Sequence, residues 1–585
     1  MSPPKALLMP YLDAESDNVP VELRPFVPRL VAVPYADESG LEAFESIVSL
    51  DTNTEVDVIK LLAGQHAPND GGQPPQFIQT ILKDSSVIAA ISKLNLPADA
   101  TVYCDPWSYG TDKFSHMNTP AQIQAYLYAC TSQHPEINQY AFPLPISPVL
   151  DVAENRVIRI NTLTTGGIED DLGHNIGSDA PLPTTRPSSS TRTCLRFLLE
   201  RTSRLCMWFS RRAQASPCWM GISSNSKNWR FRVGFHYREG LTIHDDRYDG
   251  RKVFYRLSMS ELTVPYGALY YRKQAFDIGD AGAGACSNAL GLGCDCLGLI
   301  QYFNAWMADK NGEAGESRNN ILTLMNYDYI FAWIFHQNGT VEFETRATGV
   351  VSTAPIDKEA RSPLGNVVTP GVLAQNHEHF FCHRIDPMID GTRNTLVQAE
   401  SVALPETEEN PFGNAWTVQK GAFEKSTFAD AAPEKNRVFK IRISGNLVGY
   451  TLVPLPSQML LAGKNSVIRQ GARFAEHHIW VMRYRDGDLW AGGQWTEQSM
   501  KETNGVSDYA ARNEDVKNED IVVWHTIGMS HFLTPEQFPV MGVETLSVAL
   551  RPTDFFEFNP ALDVPRSTQA INNSIQVERK MCETC

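Results

Sequence analysis

A predicted β-hairpin that begins with a tyrosine pair constrains the fold of this chain more than any other stretch. The residues after Ile330 are apolar and aromatic, and beyond Asn338-Gly339 residues 341–346 alternate between buried-type and charged side chains. Asn-Gly between two such runs is typical of a two-residue hairpin turn, so we expect a hairpin with one buried face. Tyr327 opens the first strand, and Tyr329 lies on the same side of it. Alone, this pattern favours a tyrosine pair in a sheet core.

A second predicted strand carries two histidines at a spacing that suits a metal. In the stretch 376–381, His377 and His379 are two residues apart and therefore project to one face of an extended chain. His531, within 524–532, is a third candidate ligand. Neutral imidazoles are common ligands of copper and zinc. A single His-x-His remains weak support for a metal site, because surface histidines pair by chance.

The tyrosine and histidine motifs together are specific. Thr-x-x-Asn-Tyr-Asp-Tyr at 323–329, then His-x-His, then Ser-His-Phe at 530–532 before Phe-Pro-Val-Met at 538–541, resembles the copper amine oxidases of the intracellular fungal type. In that family, bound copper oxidises the tyrosine that corresponds to Tyr327 to topaquinone. The resemblance runs from near residue 5 to about residue 566.

The resemblance implies an enzyme and assigns roles to several residues. The expected reaction is oxidative deamination of a primary amine by dioxygen to an aldehyde, with release of ammonia and hydrogen peroxide. Copper would be held by His377, His379 and His531, and the quinone formed from Tyr327 would condense with the amine. Asp277 would be the proton acceptor, Tyr266 would hydrogen-bond the quinone, and Asn326 would restrict its orientation. Without the family pattern, Asp277 before Ile-Gly would be interpreted as a turn aspartate.

The identity of the metal follows from the tyrosine and not from the ligands. Three histidines also suit zinc, but zinc is redox-silent and could not oxidise a tyrosine. Asp386 and Asp520 match family residues that surround a second, calcium-like cation, for which oxygen ligands are suitable. As isolated acids, both would more often be turn or surface residues.

Length and strand pattern predict a chain of the α+β class that is mainly β. At 585 residues it exceeds one ordinary core. Two small α+β domains, resembling those that precede the catalytic domain in amine oxidases, are expected before a large antiparallel β-sandwich. The predicted divisions are the first α+β domain without its usual start at 1–66, the second at 73–165, a linker at 166–228, the sandwich at 229–566 and a tail at 567–585.

Within the second small domain, the apolar pattern predicts three helices and a late pair of strands. The helices are expected at 77–82, 87–94 and 120–130, and the strands at 146–152 and 157–160. Near this domain, Trp107 and Tyr109 match a segment that lines the substrate funnel of the family, although packed aromatic side chains explain them equally well.

Two stretches depart from the family pattern. Residues 183–220 carry seven arginines against one acid. They could form a basic amphipathic helix or a solvated linker, but the loss of resemblance there favours a segment outside the native reading frame. Between Cys296 and Thr323 the chain is much shorter than in the family, so Cys296 has no obvious partner and a core strand next to Tyr327 is expected to be missing. Ala275 replaces the aromatic gate residue of the family, which would widen the entrance to the quinone.

Charge and termini restrict partners and compartment. The net charge of −16 argues against a nucleic-acid or anionic-membrane partner, because both require a positive field. The first 17 residues show no signal-peptide pattern, and no span could cross a bilayer. We therefore expect an intracellular chain, cytoplasmic or peroxisomal, and the family implies a homodimer.

Two other function classes stay open from the sequence. One is a non-catalytic, amine-oxidase-like metal-binding protein that has lost cofactor formation through the missing segment. The other is an unrelated three-histidine β-barrel metalloenzyme, in which Tyr327 has no role. The preferred amine is not indicated by the sequence.

Overall fold

The computed structural model covers the whole chain, and most of the two small domains and the sandwich is described below. The residues that the structure describes are 30–37, 40, 42–49, 51–69, 72–109, 120–131, 138–166, 223–226, 228–268, 273–288, 304–308, 314–318, 321–357, 359–443 and 447–563. The arginine-rich stretch 183–220, Cys296 and the tail 567–585 lie outside these residues. Within the described part, no helix combines the length and apolar character that crossing a membrane requires.

The first small unit is a three-stranded antiparallel sheet. Its strands are β1 (Leu30–Ala36), β2 (Ala43–Ser49) and β3 (Thr54–Lys60), in the order β1-β2-β3. The middle strand buries most of its side chains, whereas β3 is exposed along its whole length. This sheet therefore has one covered strand and one open edge.

The second small unit packs two helices on a four-stranded antiparallel sheet. Its elements are α1 (Gln73–Lys83), α2 (Ser85–Ser92), β4 (Thr101–Ser108), β5 (Gln122–Cys130), β6 (Ile146–Asp151) and β7 (Arg156–Thr162). Asp84 is the N-cap of α2, and its side-chain carboxylate accepts hydrogen bonds from the backbone N–H groups of Ser86 and Val87. Phe77, Ile81 and Val87 from the helices are buried against the sheet.

The helix predicted at 120–130 is wrong, since this stretch is strand β5. All nine of its residues are buried, so both faces of the strand are covered. A strand that is buried on both faces lacks the period of two, and a short apolar run of this kind cannot be distinguished from a buried helix by pattern. The other two predicted helices and the late pair of strands are present.

The described residues from 223 onward form mainly antiparallel strands, with two short α-helices, α3 (Val467–Gly471) and α4 (Val506–Ala511). The strands are β8 (Ser223–Ser226), β9 (Trp229–His236), β10 (Gly240–Tyr248), β11 (Arg251–Pro265), β12 (Gln274–Phe276), β13 (Ser287–Asn288), β14 (Asn304–Ala308), β15 (Ala314–Arg318), β16 (Ile321–Leu324), β17 (Tyr327–Phe335), β18 (Val341–Val350), β19 (Thr353–Pro355), β20 (Gly365–Thr369), β21 (Val372–Gln375), β22 (His377–Pro387), β23 (Arg393–Ala403), β24 (Trp416–Ala422), β25 (Thr427–Ala429), β26 (Val438–Ile443), β27 (Gly449–Leu452), β28 (Ile479–Arg483), β29 (Glu519–His531) and β30 (Val540–Thr553).

Two large sheets face each other and enclose the core. The first has the order β8-β9-β10-β11-β22-β29-β28-β25, and the second β13-β16-β17-β18-β30-β27-β26-β23-β24. The ring of Phe231 on the first sheet stacks on Phe335 of the second at 4.2 Å. Phe343 contacts His383 across the same layer at 4.1 Å. This architecture confirms the predicted class, mainly β with a large antiparallel sandwich.

Strand β29 belongs to both sheets. Its main length pairs with β22 and β28 in the first sheet, while its first residues, Glu519 and Asp520, pair with β23 of the second. The two sheets are therefore joined by continuous backbone hydrogen bonding as well as by side-chain packing.

The predicted hairpin is strands β17 and β18, with a longer turn than Asn-Gly suggested. The backbone N–H of Gly339 donates to the carbonyl of His336, and His336 N–H donates to Thr340. Gly339 has φ of 81°, whereas Asn338 is not among the positive-φ residues. This is a three-residue loop closed by a left-handed glycine. The two-residue type I′ turn that Asn-Gly favours would need positive φ at both positions. The buried face of β18 alternates as predicted.

On the edge opposite β18, strand β17 has a described neighbour along only part of its length. Strand β16 pairs with residues 327–330, so residues 331–335 pair with β18 alone among the described residues. The described part of the chain therefore leaves open what borders the outer half of the tyrosine strand on that side.

The hairpin packs closely behind Tyr327 at the position of Gly349. It lies opposite Tyr327 with φ of 133°, and a Cβ there would be 2.2 Å from the carbonyl oxygen of Asn326. We expect Gly349→Ala to destabilise the protein by at least about 2 kcal/mol, because strain and overpacking add. Calorimetric melting would measure it, with Gly542→Ala on β30 as control, since a Cβ there meets nothing within 4 Å. Equal melting temperatures for the two variants would contradict this packing.

Candidate metal centre

Three histidines meet because of the register between β22 and β29. His377 lies directly opposite His531, and His379 lies opposite Met529. Side chains alternate along a strand, so His377, His379 and His531 share the face that points into the sandwich. Their ligand nitrogens all lie within 4.8 Å of one another, and the three residues are at most 5% exposed.

The hydrogen bonds of the imidazoles indicate which nitrogens face the centre. Nδ1 of His377 lies 2.9 Å from the carbonyl oxygen of Gln375, an acceptor, so this nitrogen carries the proton and leaves Nε2 with a lone pair. Nε2 of His379 and Nε2 of His531 are buried, and neither has a hydrogen-bond partner in the described part of the chain. Buried nitrogens of this kind fit a metal ion, which would satisfy them.

Burial also keeps these imidazoles neutral. Burial, followed by the charge of the neighbouring His531, lowers the pKa of His377 to about 3. The pKa of His379 is lowered well below its ordinary value by burial and by the other two histidines. Burial lowers the pKa of His531 as well, with Glu544 opposing it. Neutral imidazole is the form that binds a metal, so the centre is prepared for one.

The hydroxyl of Tyr327 lies among the ligands. Its Oη is 2.5 Å from Nε2 of His377 and 2.9 Å from Nδ1 of His531, and it lies 3.1 Å from Sδ of Met541. Burial raises the pKa of Tyr327 well above its usual value, so the phenol is neutral in this setting. The phenol of Tyr327 thus lies directly beside the nitrogens that would hold a metal ion.

Tyr329 connects this group to the predicted base. Its ring stacks on Tyr327 at 5.4 Å, and its hydroxyl is 3.0 Å from Nδ1 of His379. The same hydroxyl faces the carboxyl group of Asp277. Burial, followed by the charge of Asp280, raises the pKa of Asp277 well above the ordinary value of an aspartate. A carboxyl group in this state suits proton abstraction near neutral pH.

Tyr266 covers the other side of the centre. Its ring stacks on His377 at 4.8 Å with an angle of 16°, and its backbone forms a bridge with that residue. Trp107 from the second small unit contacts Tyr266 edge to face at 5.8 Å. The ammonium group of Lys273 lies over both rings, at 4.4 Å from Tyr266 and 4.5 Å from Trp107. The second small unit therefore contributes directly to the wall beside the histidines.

Asn326 fixes the backbone that precedes Tyr327. Its side-chain amide donates to the carbonyl of Val350 at 2.7 Å, and Val350 N–H donates back to the Asn326 carbonyl at 2.8 Å. Tyr109 is buried near Trp107, while Ala275 is half-buried on β12 beside the predicted base. Of these residues, Asn326 directly precedes Tyr327, and Trp107 contacts Tyr266.

The predicted second cation site is not brought together in the same way. Among the described residues, the one group of side chains arranged to hold a metal is the histidine triad, and it contains neither Asp386 nor Asp520. Asp386 is buried and forms an ion pair with Arg384 at 3.3 Å. Asp520 pairs with Arg393 in the sheet. The calcium-like site remains a prediction.

Three residues of the centre were not assigned a role from the sequence. They are Tyr329, which joins His379 to Asp277, Met541, whose sulfur contacts Tyr327, and Gln375, whose carbonyl orients His377. Tyr329 could have been found from its spacing, because it shares the face of Tyr327 on one strand. No local signal distinguishes the other two.

A buried histidine triad with a tyrosine hydroxyl among its nitrogens, set between two antiparallel sheets, defines a metalloprotein with a tyrosine at its metal centre. Models of known families identify it more closely. The copper amine oxidase enzyme domain matches residues 223–322 and 318–571, and the copper amine oxidase N3 domain matches residues 76–171.

Individual relatives agree over nearly the whole chain. Copper amine oxidase 1 of Aspergillus niger is 37% identical, with 96% of this chain and 91% of that protein covered. The peroxisomal primary amine oxidase of Pichia angusta is 30% identical, with 84% and 77% covered. The crystal structure of a copper-containing benzylamine oxidase from Hansenula polymorpha superposes with a TM-score of 0.86 at 32% identity, covering 97% of this chain and 94% of that one. This chain belongs to the copper amine oxidase family and is an amine-oxidising oxidoreductase.

Metal binding by the triad can be tested with two histidines of the same strand. His379 and His383 both lie on β22 and face the interior, but only His379 belongs to the triad. We expect His379→Leu to weaken copper binding by more than about 100-fold, because one of three ligands is lost, whereas His383→Leu should retain it. Equilibrium dialysis with elemental analysis measures the copper content. Equal copper loss in both variants would argue against the triad.

Proposed function

We propose that this chain catalyses copper- and topaquinone-dependent oxidative deamination of primary amines. The overall reaction is RCH2NH2 + H2O + O2 giving RCHO + NH3 + H2O2. The observation that supports it most strongly is the position of Tyr327, whose hydroxyl lies 2.5 Å and 2.9 Å from nitrogens of His377 and His531. The hydroxyl therefore lies between two side chains of the triad, at the point where the ligands of one metal ion would converge.

The residues present fit both groups. His377, His379 and His531 would hold copper, and Tyr327 would be the precursor of the quinone. When bound, copper supplies one-electron chemistry with dioxygen, and the quinone supplies an electrophilic carbonyl for the amine. The buried Nε2 atoms of His379 and His531, which have no hydrogen-bond partner among the described residues, support the assignment of these nitrogens to a metal.

Asp277 would accept the proton from the substrate carbon next to nitrogen. Its burial removes competing water, and its raised pKa makes it a stronger base than an exposed aspartate. Since the pKa is raised, activity should increase as the pH rises through it and the carboxyl group loses its proton. Tyr329 beside it would keep the carboxyl group oriented.

The other neighbours would position the cofactor and admit the amine. Tyr266, stacked on His377, would offer its buried hydroxyl to the quinone, and Asn326 would restrict the ring through the backbone it anchors. Trp107 and Tyr109 would line the entrance, and the small side chain of Ala275 would leave it wide. The preferred amine is left open by these features.

The proposal includes a homodimer and an intracellular site of action. Support for the dimer comes from the β23–β24 hairpin, where Phe412 is 83% exposed and Trp416 is 72% exposed. Exposed aromatic side chains on an extended hairpin are typical of a surface that another chain covers. Sedimentation at micromolar concentration would measure the assembly, and a monomer would count against it. A cytoplasmic or peroxisomal location is proposed, and relatives from Pichia angusta and Nicotiana tabacum are named as peroxisomal.

Formation of the quinone separates the proposal from its alternatives. We expect metal-free protein to develop a broad visible band when copper is added in air, and to bind phenylhydrazine as a coloured adduct. Tyr327→Phe should bind copper and stay colourless, and zinc should produce no colour in the wild-type chain. Visible absorption and phenylhydrazine titration measure both.

The opposite results identify the alternatives. Wild-type protein that binds copper and stays colourless would indicate a non-catalytic relative that has lost cofactor formation. Metal-dependent activity that survives in Tyr327→Phe would indicate a three-histidine metalloenzyme in which the tyrosine plays no part.

The role of Asp277 predicts a variant that keeps the cofactor and loses turnover. Asp277→Asn should form the quinone, because the triad and Tyr327 are unchanged, but kcat should fall by about 10²- to 10⁴-fold without the general base. Peroxide release with benzylamine measures kcat, and the phenylhydrazine titre reports the quinone. Full turnover in this variant would exclude Asp277 as the base.

A further inference from the structure

A second buried acid lies in the same turn as the proposed base. The five-residue helical turn Asp277–Ala281 follows β12, and Asp280 within it is 7% exposed. One carboxylate oxygen of Asp280 accepts the backbone N–H of Phe276 at 2.9 Å, and the other accepts the hydroxyl of Thr496 at 2.8 Å. Phe276 immediately precedes Asp277. The carboxylate of Asp280 therefore holds the backbone from which the base projects.

The side chain of Thr496 also lies close to the backbone of the turn at Gly279. A Cβ on Gly279 would lie 2.0 Å from the hydroxyl oxygen of Thr496, so a side chain at this position would displace the turn. A larger residue here would break the contact that Asp280 makes. The turn and Thr496 are therefore fitted to each other by shape as well as by hydrogen bonding.

Thr496 is itself held by the two small units. Among the described residues, three side chains of its segment, residues 494–498, form hydrogen bonds to them. Gln494 Nε2 donates to Glu45 Oε1 at 2.6 Å, and Glu497 Oε2 accepts the Ser108 hydroxyl at 2.8 Å. Gln498 Oε1 accepts the Gln122 N–H at 2.8 Å, and its Nε2 donates to the Pro120 carbonyl at 3.3 Å. A segment fixed at three points is a rigid support for the hydroxyl that Asp280 accepts.

We propose that Asp280 is the positioning residue for the base Asp277, and that Thr496 holds it in place. This inference rests on the proposed function, because it needs Asp277 to act as base. The carboxylate fixes the peptide nitrogen before the base and anchors the end of its turn. The base is then presented in one orientation to the substrate carbon, where a displacement of about 1 Å can cost about 100-fold in rate.

Asp280 also acts on Asp277 by its charge. The ionisable groups that face the two acids include Arg238, Glu261 on β11, Tyr266, Cys286, Tyr327 and Tyr329 on β17, and Glu497. Burial raises the pKa of Asp277, and Asp280 raises it further as a like charge. Removal of that charge lowers the pKa of the base, so the acid limb of the rate profile moves to lower pH and the base becomes weaker.

The test uses four variants of the copper-loaded enzyme, with benzylamine and α,α-dideuterobenzylamine as substrates. Asp280→Asn keeps an oxygen for Phe276 N–H and removes the charge, so kcat/KM should fall about tenfold and its acid limb should move to lower pH. Asp280→Ala should lose about 100-fold, with a larger deuterium isotope effect on kcat. Thr496→Val should lose about tenfold, and Thr496→Ser should restore the wild-type rate.

Quinone content separates this inference from the proposed function. The phenylhydrazine titre of every variant should match that of the wild type, because none of them touches the triad or Tyr327. If the titres match and all four variants keep the wild-type rate, isotope effect and pH profile, the role of Asp280 is refuted while the proposed function stands. A wild-type chain with no quinone and no turnover would refute both.

The conservative variants Asp280→Asn and Thr496→Ser still test the proposal if Asp280→Ala fails to fold. A rate loss in Thr496→Val that Thr496→Ser does not restore would show that the hydroxyl is irrelevant and would overturn the proposed support. Thr503, in the next loop, provides a matched control for removal of a threonine hydroxyl, because among the described residues its hydroxyl donates only to the carbonyl of Lys501. Thr503→Val should leave kcat unchanged.

Discussion

The pairing of β22 with β29 is the constraint on which the centre depends. Strands pair residue by residue, so a shift of the pairing by one residue would turn every side chain of a strand to the opposite face. With His377 opposite His531, three imidazoles meet in the interior, and the intervening residues Glu378 and Ser530 point the other way. The register is held on both sides, since β11 pairs with β22 and β28 pairs with β29. Accurate ligand placement is thus a property of the central sheet.

Desolvation gives the centre its chemistry. Burial acts on histidines and carboxyl groups in opposite directions, favouring the neutral form of each. Burial leaves the imidazoles of His377, His379 and His531 neutral, so each can offer a lone pair to a metal ion. It leaves Asp277 as an unusually basic carboxyl group. The same loss of water makes an unpaired polar atom expensive, so the open nitrogens of the triad are tolerated because a metal can satisfy them.

Much of the fold and site could be predicted from the sequence, because the motifs that carry the chemistry are local. Tyr327, His377, His379 and His531 sit on strands whose alternation indicates the face they share, and the structure brings them together. Features that depend on distant contacts were missed. The pattern predicts a helix where strand β5 lies, because burial on both faces removes the period of two. No local signal assigns a role to Asp280, since its partner Thr496 is 216 positions away.

Strand β29 runs from the junction of the two sheets to the metal centre. His531 is its last residue, and its first residues pair with the second sheet. Global unfolding of the sandwich breaks the same strand that carries this ligand, so loss of the fold and loss of the centre should coincide. A bound ion should therefore raise the free energy of unfolding of the whole sandwich, because only the folded strand presents the ligand.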